Sequence, residues 1–157
     1  MDQLPESARR VAAAAAAAGL AVNVVEMPDS TRTAEEAARA CGCEVAQIVK
    51  SLVFVGAASG QPYLLLVSGA NRVDEMAVAA ELGEPLVRPD GRRVREITGY
   101  AIGGIPPIGH PEPMRTLIDA KLLEYDVVWA AAGTPRCVFA ADPAALARAA
   151  SATTYAF

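Results

Sequence analysis

Runs of apolar residues alternate with short polar or glycine-proline punctuation, and each run carries a period. "ESARRVAAAAAAAGL" is alanine-rich, with Pro5 just before it and Gly19 where a helix C-terminus wants one. It predicts a helix over residues 6–18. "LAVNVVEM" then reads as a strand. In "DSTRTAEEAARACGC", Thr33 with Glu36 three residues on forms a capping box and predicts a helix over 34–40, closed near Gly42. "QIVKSLVFVG" and "PYLLLVSG" are β-branched and apolar, and they bracket the turn-rich "AASGQ", which predicts an antiparallel hairpin. "RVDEMAVAAEL" has helical spacing and stops at Gly83, and "EPLVRPDGRRVREITGY" reads as a short strand followed by a short helix. "MRTLIDAKLLEYDVVWAAAG" predicts strand, connection and strand; "CVFAAD" predicts a strand; "PAALARAAS" is a closing helix with Pro143 in its first turn.

Helices and strands interleave, but the hairpin and the clustered late strands do not fit a pure βαβ series. The expected class is α/β, with a mixed sheet and helices packed around it. The length of 157 residues suits one domain spanning 1–157, with no internal repeat and no linker. The hydrophobic fraction of 53% fills a core easily, while aromatic residues at 5% contribute little of it.

The formal charge of −4 argues against a protein that holds nucleic acid through a broad basic surface. A phosphate-bearing partner would have to be met locally. Cys41, Cys43 and Cys137, with His110 as the single histidine, fall short of a zinc quartet and suit small buried residues in a reducing compartment. The start of the chain is acidic at Asp2 and Glu6, its apolar run is almost pure alanine, and no stretch of about 18 strongly apolar residues occurs. A cytoplasmic location away from membranes is expected.

Candidate chemistry centres on a few residues. Lys50 lies inside "IVKSLVF", where strand alternation places at least one face against apolar neighbours. Such a lysine either snorkels to the sheet edge or is a fixed cation aimed into a pocket, suited to a phosphate or a developing oxyanion. "GYAIGGIPPIGH" (99–110) packs four glycines, two adjacent prolines and His110 into twelve residues. Read as chemistry, it is a stiff, side-chain-poor loop whose working groups are main-chain carbonyls and amides; read as structure, it is a tight connection. His110 alone favours a supporting role over catalysis, since no G-x-S-x-G elbow accompanies it. "SGANRVD" (68–74) and "TGY" (98–100) are polar turns able to line a pocket. Arg88, Arg92, Arg93 and Arg95 form either a solvated face or one local patch able to meet RNA phosphates. Neither a Walker phosphate loop nor a Rossmann fingerprint is present.

"QIVKSLVF", "LLLVSGANRVD", "TGYAIGGIPPIGH" and "TLID", in this order and at these separations, resemble the YbaK/EbsC group of aminoacyl-tRNA deacylases, related to the editing insertion domain of bacterial prolyl-tRNA synthetases. The resemblance covers roughly residues 20–150. It implies a largely antiparallel, barrel-like mixed sheet and a stand-alone editing enzyme. Such an enzyme hydrolyses the ester between a wrong amino acid and the 3′ end of a tRNA, often that for proline. It implies no metal, cofactor or covalent nucleophile, and a partner in the aminoacylated 3′ end, with prolyl-tRNA synthetase or another synthetase as a further candidate. In that family the strand lysine is needed for activity and the first glycine of GxxPP presents its carbonyl to the reacting site; these positions match Lys50 and Gly103.

Thr31, Ser68, Gly69, Thr98, Gly104, Ile105, Pro106, Pro107, His110 and Asp119 are the expected substrate-binding or loop-fixing positions. Relatives specialised for alanyl substrates carry asparagine after the lysine, where this chain has Ser51, and cysteine-removing relatives are more polar where this chain reads "WAAAGTP". Neither specificity is therefore assigned. Two other classes remain open: a non-catalytic binder of aminoacylated ends or of a synthetase, and an esterase for small acyl esters.

Overall fold

The computed structural model describes residues 4–157; Asp2 of the acidic start lies outside them. Helix α1 (Glu6–Ala17) puts Ala8, Val11 and Ala15 on one fully buried stripe, the three- and four-residue spacing of an amphipathic helix. The run that follows forms only a two-residue strand, β1 (Val25–Glu26), shorter than expected. Leu20 is buried and Val22 and Val24 pack on the core without joining a ladder. Their hydrophobic pattern reports burial, and burial does not require a strand partner.

Helix α2 (Ala34–Cys41) begins with the predicted capping box: Glu36 N–H donates to Thr33 Oγ1 at 3.1 Å and Thr33 N–H donates to Glu36 Oε1 at 3.2 Å. A 3-10 turn (Val45–Gln47) leads into β2 (Ile48–Gly56), which pairs antiparallel with β3 (Pro62–Ser68) from Val49↔Ser68 to Val55↔Pro62. Glu84 staples the hairpin turn, accepting from Ala58 N–H, Ser59 N–H, the Ser59 hydroxyl and Tyr63 Oη–H. Those donors, Ser59 and Tyr63 foremost, hold its carboxyl down at about 2.

Helix α3 (Glu75–Leu82), capped by Asp74, is followed by β4 (Leu86–Val87) and by α4 (Gly91–Thr98), capped by Asp90. After the glycine-proline loop come β5 (Arg115–Asp119), a 3-10 turn (Ala120–Glu124), β6 (Val128–Ala131), β7 (Cys137–Ala141) and α5 (Pro143–Ala149). A last strand, β8 (Thr153–Tyr155), was not anticipated: it is three residues long and pairs parallel with β5.

The eight strands form one mixed sheet in the order β1-β7-β6-β2-β3-β5-β8, with β4 also on β2. The β1/β7, β6/β7, β2/β3 and β2/β4 pairs are antiparallel; β2/β6, β3/β5 and β5/β8 are parallel. Central β3 is buried on both faces, which explains its unbroken "YLLLV". Leu64 and Leu66 join the core under α1 and α5, while Tyr63, Leu65 and Val67 join the one under α3. Among the described residues no helix is long and apolar enough to cross a membrane.

Candidate active site

One side of β2 opens onto a cleft of about 1010 Å³. Its walls come from the start of α2, the turn after β3, the segment before α4, the glycine-proline loop and β6. Thr31, Lys50, Gly69, Gly103 and Ile105 line it. Ser68, Thr98, Gly104, Pro106, Pro107, His110 and Asp119 do not line it.

Lys50 is half-buried on the β2 face shared with Leu52 and Phe54. Its Nζ donates to the Asn71 carbonyl at 2.5 Å. Burial pushes its pKa below the usual lysine value, with the Arg72 charge adding to the effect and Glu35 and Asp119 opposing it. A desolvated cation with one carbonyl partner keeps two donor positions for a ligand.

The Asn71 carbonyl is placed by Asp119. This carboxylate is 1% exposed at the end of β5, and its Oδ2 accepts from Ser68 N–H at 3.0 Å and from the Asn71 amide at 2.9 Å. Its Oδ1 accepts from Lys121 N–H at 3.0 Å. The Ser68 hydroxyl donates to the Ala46 carbonyl at 2.7 Å, tying the same turn to the approach to β2. Ser68 and Asp119 therefore bear on the cleft through the turn they fix.

A second wall is built from main chain. Gly103 has φ +98°, a region other residues rarely enter, and its neighbour Gly104 packs so close to the next loop that a Cβ would sit 2.8 Å from Thr134 N. Gly104 N–H donates to the Ala101 carbonyl at 3.1 Å, and the Gly104 carbonyl accepts from Gly133 N–H at 2.8 Å. Among the described residues nothing hydrogen-bonds to the Gly103 carbonyl. Ile105, Pro106, Pro107 and Ile108 are buried behind it. The Thr98 hydroxyl donates to Val94 O at 2.8 Å and accepts from Tyr100 N–H at 3.0 Å, fixing the entry to the loop. At its exit Tyr100 Oη–H donates to Gly109 O at 3.2 Å, and His110 Nε2 lies 2.9 Å from Pro106 O. A carbonyl can only accept, so Nε2 carries the proton; burial pushes the ring's pKa down, against the smaller opposing effect of the Pro106 hydrogen bond. Thr31 likewise has its hydroxyl and N–H committed to the Pro135 carbonyl, at 2.9 and 2.7 Å.

Of the arginines singled out in the sequence, Arg88 lines the cleft, paired with Glu75 at 2.7 Å, whereas Arg92, Arg93 and Arg95 lie exposed on α4. The sequence reading missed Arg32 and Arg72, which also line the cleft, with Glu35 as the acidic residue among them. Arg72 sat in the flagged "SGANRVD" turn; Arg32, beside Thr31, had no signal of its own. The cleft thus concentrates positive charge on a protein that is acidic overall.

Similarity to known proteins bears on this arrangement. A crystal structure of a candidate trans-editing enzyme for prolyl-tRNA synthetase superposes with a TM-score of 0.93 at 50% identity, covering 98% of each chain. The uncharacterized protein YwhH of Bacillus subtilis is 30% identical over 112 residues, 71% of either chain. A proline–tRNA ligase of Limosilactobacillus fermentum is 35% identical over 94 residues, 57% of this chain but 16% of the ligase. The sequence model of the aminoacyl-tRNA editing domain matches residues 28–149, which include every cleft residue named above; the chain belongs to that family and is an aminoacyl-tRNA deacylase.

Proposed function

We propose that this protein acts in trans on mischarged tRNA for proline, hydrolysing the ester of a small non-cognate amino acid. The observation that carries the reading is that Lys50 and Gly103, from segments far apart in the chain, line one cleft. An aminoacyl ester is already activated, so positioning and electrostatics supply what its hydrolysis needs. The Gly103 carbonyl accepts a hydrogen bond from the attacking water and aims its oxygen at the ester carbon; attack first by the neighbouring ribose hydroxyl only moves the aminoacyl group to that oxygen, and water then completes the release. Lys50 offsets negative charge at the reacting ester or the terminal nucleotide. As the bond to the ribose oxygen breaks, that oxygen takes a proton and the free amino acid leaves. Arg32 and Arg72 meet phosphates of the incoming 3′ end, which supplies locally the attraction that the net charge withholds. Ile105 limits the side chain that fits.

The test is single-turnover deacylation of tRNA for proline charged with alanine, cysteine, serine, 2-aminobutyrate or proline, by the parent and by Lys50→Ala. Selective release of one non-cognate residue is expected. The Lys50→Ala variant should lose about 100-fold or more, the scale of removing one preorganised electrostatic partner. Tight binding without release from any tRNA would instead mark a binding module.

A further inference from the structure

Strand β2 is paired with β3 from Val49 to Val55. Its other edge is covered by two different strands: β6 reaches Ile48 and Val49, and β4 reaches Val55 and Gly56. In an antiparallel ladder the N–H and C=O groups of successive residues point alternately toward and away from the partner. The bonds from Gly69 N–H to Ile48 O (2.8 Å) and from Gly56 N–H to Gln61 O (2.9 Å) set the phase. Even-numbered residues of β2 face β3, and odd-numbered residues face the other edge. Val49 and Val55 lie in the β6 and β4 pairings, whereas Ser51 and Val53 turn their main-chain groups into the gap between, where no described residue bonds them.

The gap has causes in the sequence. Extending the β2/β4 register from Val55↔Val87 would set Val53 opposite residue 89, which is Pro89 and has no N–H to give. On the other side β6 ends at Ala131, and the Gly133 N–H is taken by Gly104 O. Ser51, Val53, Pro89 and Ala131 all line the cleft. The Ser51 hydroxyl lies buried beside this edge with no hydrogen-bond partner. Unpaired main-chain groups on a partly apolar wall are costly unless something bonds them.

An aminoacyl ester has the polar groups of one peptide residue: an amine at one end and a carbonyl at the other. A residue joining a strand edge in parallel fashion gives its N–H to one carbonyl and takes the N–H two residues further along. We propose that the amino acid to be removed docks as a single added residue on the open edge of β2, its α-amino group donating to the Ser51 carbonyl and its ester carbonyl accepting from Val53 N–H. This rests on the deacylase reading and deepens it. The Val53 N–H is then a fixed donor at the oxygen that gains negative charge during attack. The amine contact confines the site to α-aminoacyl groups, whatever the side chain, and rejects simple acyl esters.

The test uses the parent protein and the tRNA from the panel that it deacylates fastest, in three forms: aminoacylated, N-acetylated, and carrying the matching α-hydroxy acid. Each single-turnover rate is divided by the spontaneous hydrolysis rate of the same ester, which removes the intrinsic effect of the amine on reactivity. The acetylated and hydroxy forms should each lose about tenfold or more of the enhancement, the scale of one hydrogen bond to a charged group. On the protein side, an α-hydroxy acid in place of Val53 exchanges that N–H for an ester oxygen and should lower the enhancement by a similar factor in protein that still unfolds cooperatively; if that variant does not fold, the substrate series decides. Equal enhancement for all three esters, or a folded Val53 variant as fast as the parent, overturns the docking and leaves the deacylase reading standing. Release from no tRNA at all overturns both.

Discussion

The turn that carries Asn71 is tied at its start by Ser68 and Gly69 but held to β5 by one buried carboxylate, whereas the loop that carries Gly103 is held by its own main chain, two prolines and several separate clamps. Asp119 alone gathers Ser68 N–H, the Asn71 amide and Lys121 N–H, and through Asn71 it sets the carbonyl that receives Lys50. The Gly103 loop distributes the same task over Ala101, Thr98, Tyr100, His110 and Gly133. A charged side chain can be held by a short polar relay, but a main-chain carbonyl can be aimed only by fixing the backbone on both sides of it. One wall is therefore exposed to single substitutions at one point, and the other is tolerant except where two backbones touch.

The comparison is tested hardest at Asp119. Asp119→Asn turns one acceptor oxygen into a donor facing N–H groups, leaving at least one buried donor unmet at about 1–3 kcal/mol. Equilibrium denaturation should show that loss, and deacylation should fall by about tenfold or more because Lys50 loses its placed partner. Unchanged turnover would separate Lys50 from the relay. On the other wall, Gly104→Ala drives a Cβ against the Thr134 backbone, where little can yield. It should cost about 1–3 kcal/mol of stability by denaturant titration and reduce turnover alongside.

His110 gives a smaller effect with a defined pH sign. Burial lowers its folded pKa below the ordinary 6.5, so the unfolded chain binds the proton more readily. Its contribution is fully present above about pH 6.5 and is lost as pH falls from there through the lowered folded value. His110→Gln should flatten the stability profile on that acid side, as followed by thermal unfolding across pH; an unchanged slope would remove His110 as its source. The smallest effect is expected from Tyr100→Phe. It deletes one clamp among several, costs about 1 kcal/mol, and should leave deacylation within a few-fold of the parent. A large loss would show that the loop depends on one contact, as the Asp119 side does.

Local rules made much of the molecule legible. Thr33 and Glu36 announced α2, "AASGQ" between two β-branched runs announced the β2/β3 hairpin, and Pro143 announced α5. The strand over "LAVNVVEM" shrank to two residues because apolar alternation marks burial and the neighbouring edge decides pairing. Strand β8 went unread because three residues carry too short a pattern and its pairing partner, β5, lies far away in the chain.

At the site, the sequence by itself determined the unusual residues: a lysine inside an apolar strand, and glycines and prolines that only a rigid backbone segment requires. Their chemistry is local, so composition and spacing disclosed it. Only the tertiary structure decided that Lys50 and Gly103 share one cleft, that Asp119 acts from behind it, and that Arg32 and Arg72 stand at its wall. It also decided that Ser51 and Val53 lack ladder partners, because the strands that end on either side of them, β4 and β6, come from segments far apart in the chain. Hydrogen-bond satisfaction across such separations depends on register and on which edge lies next to which, and no single segment carries that information.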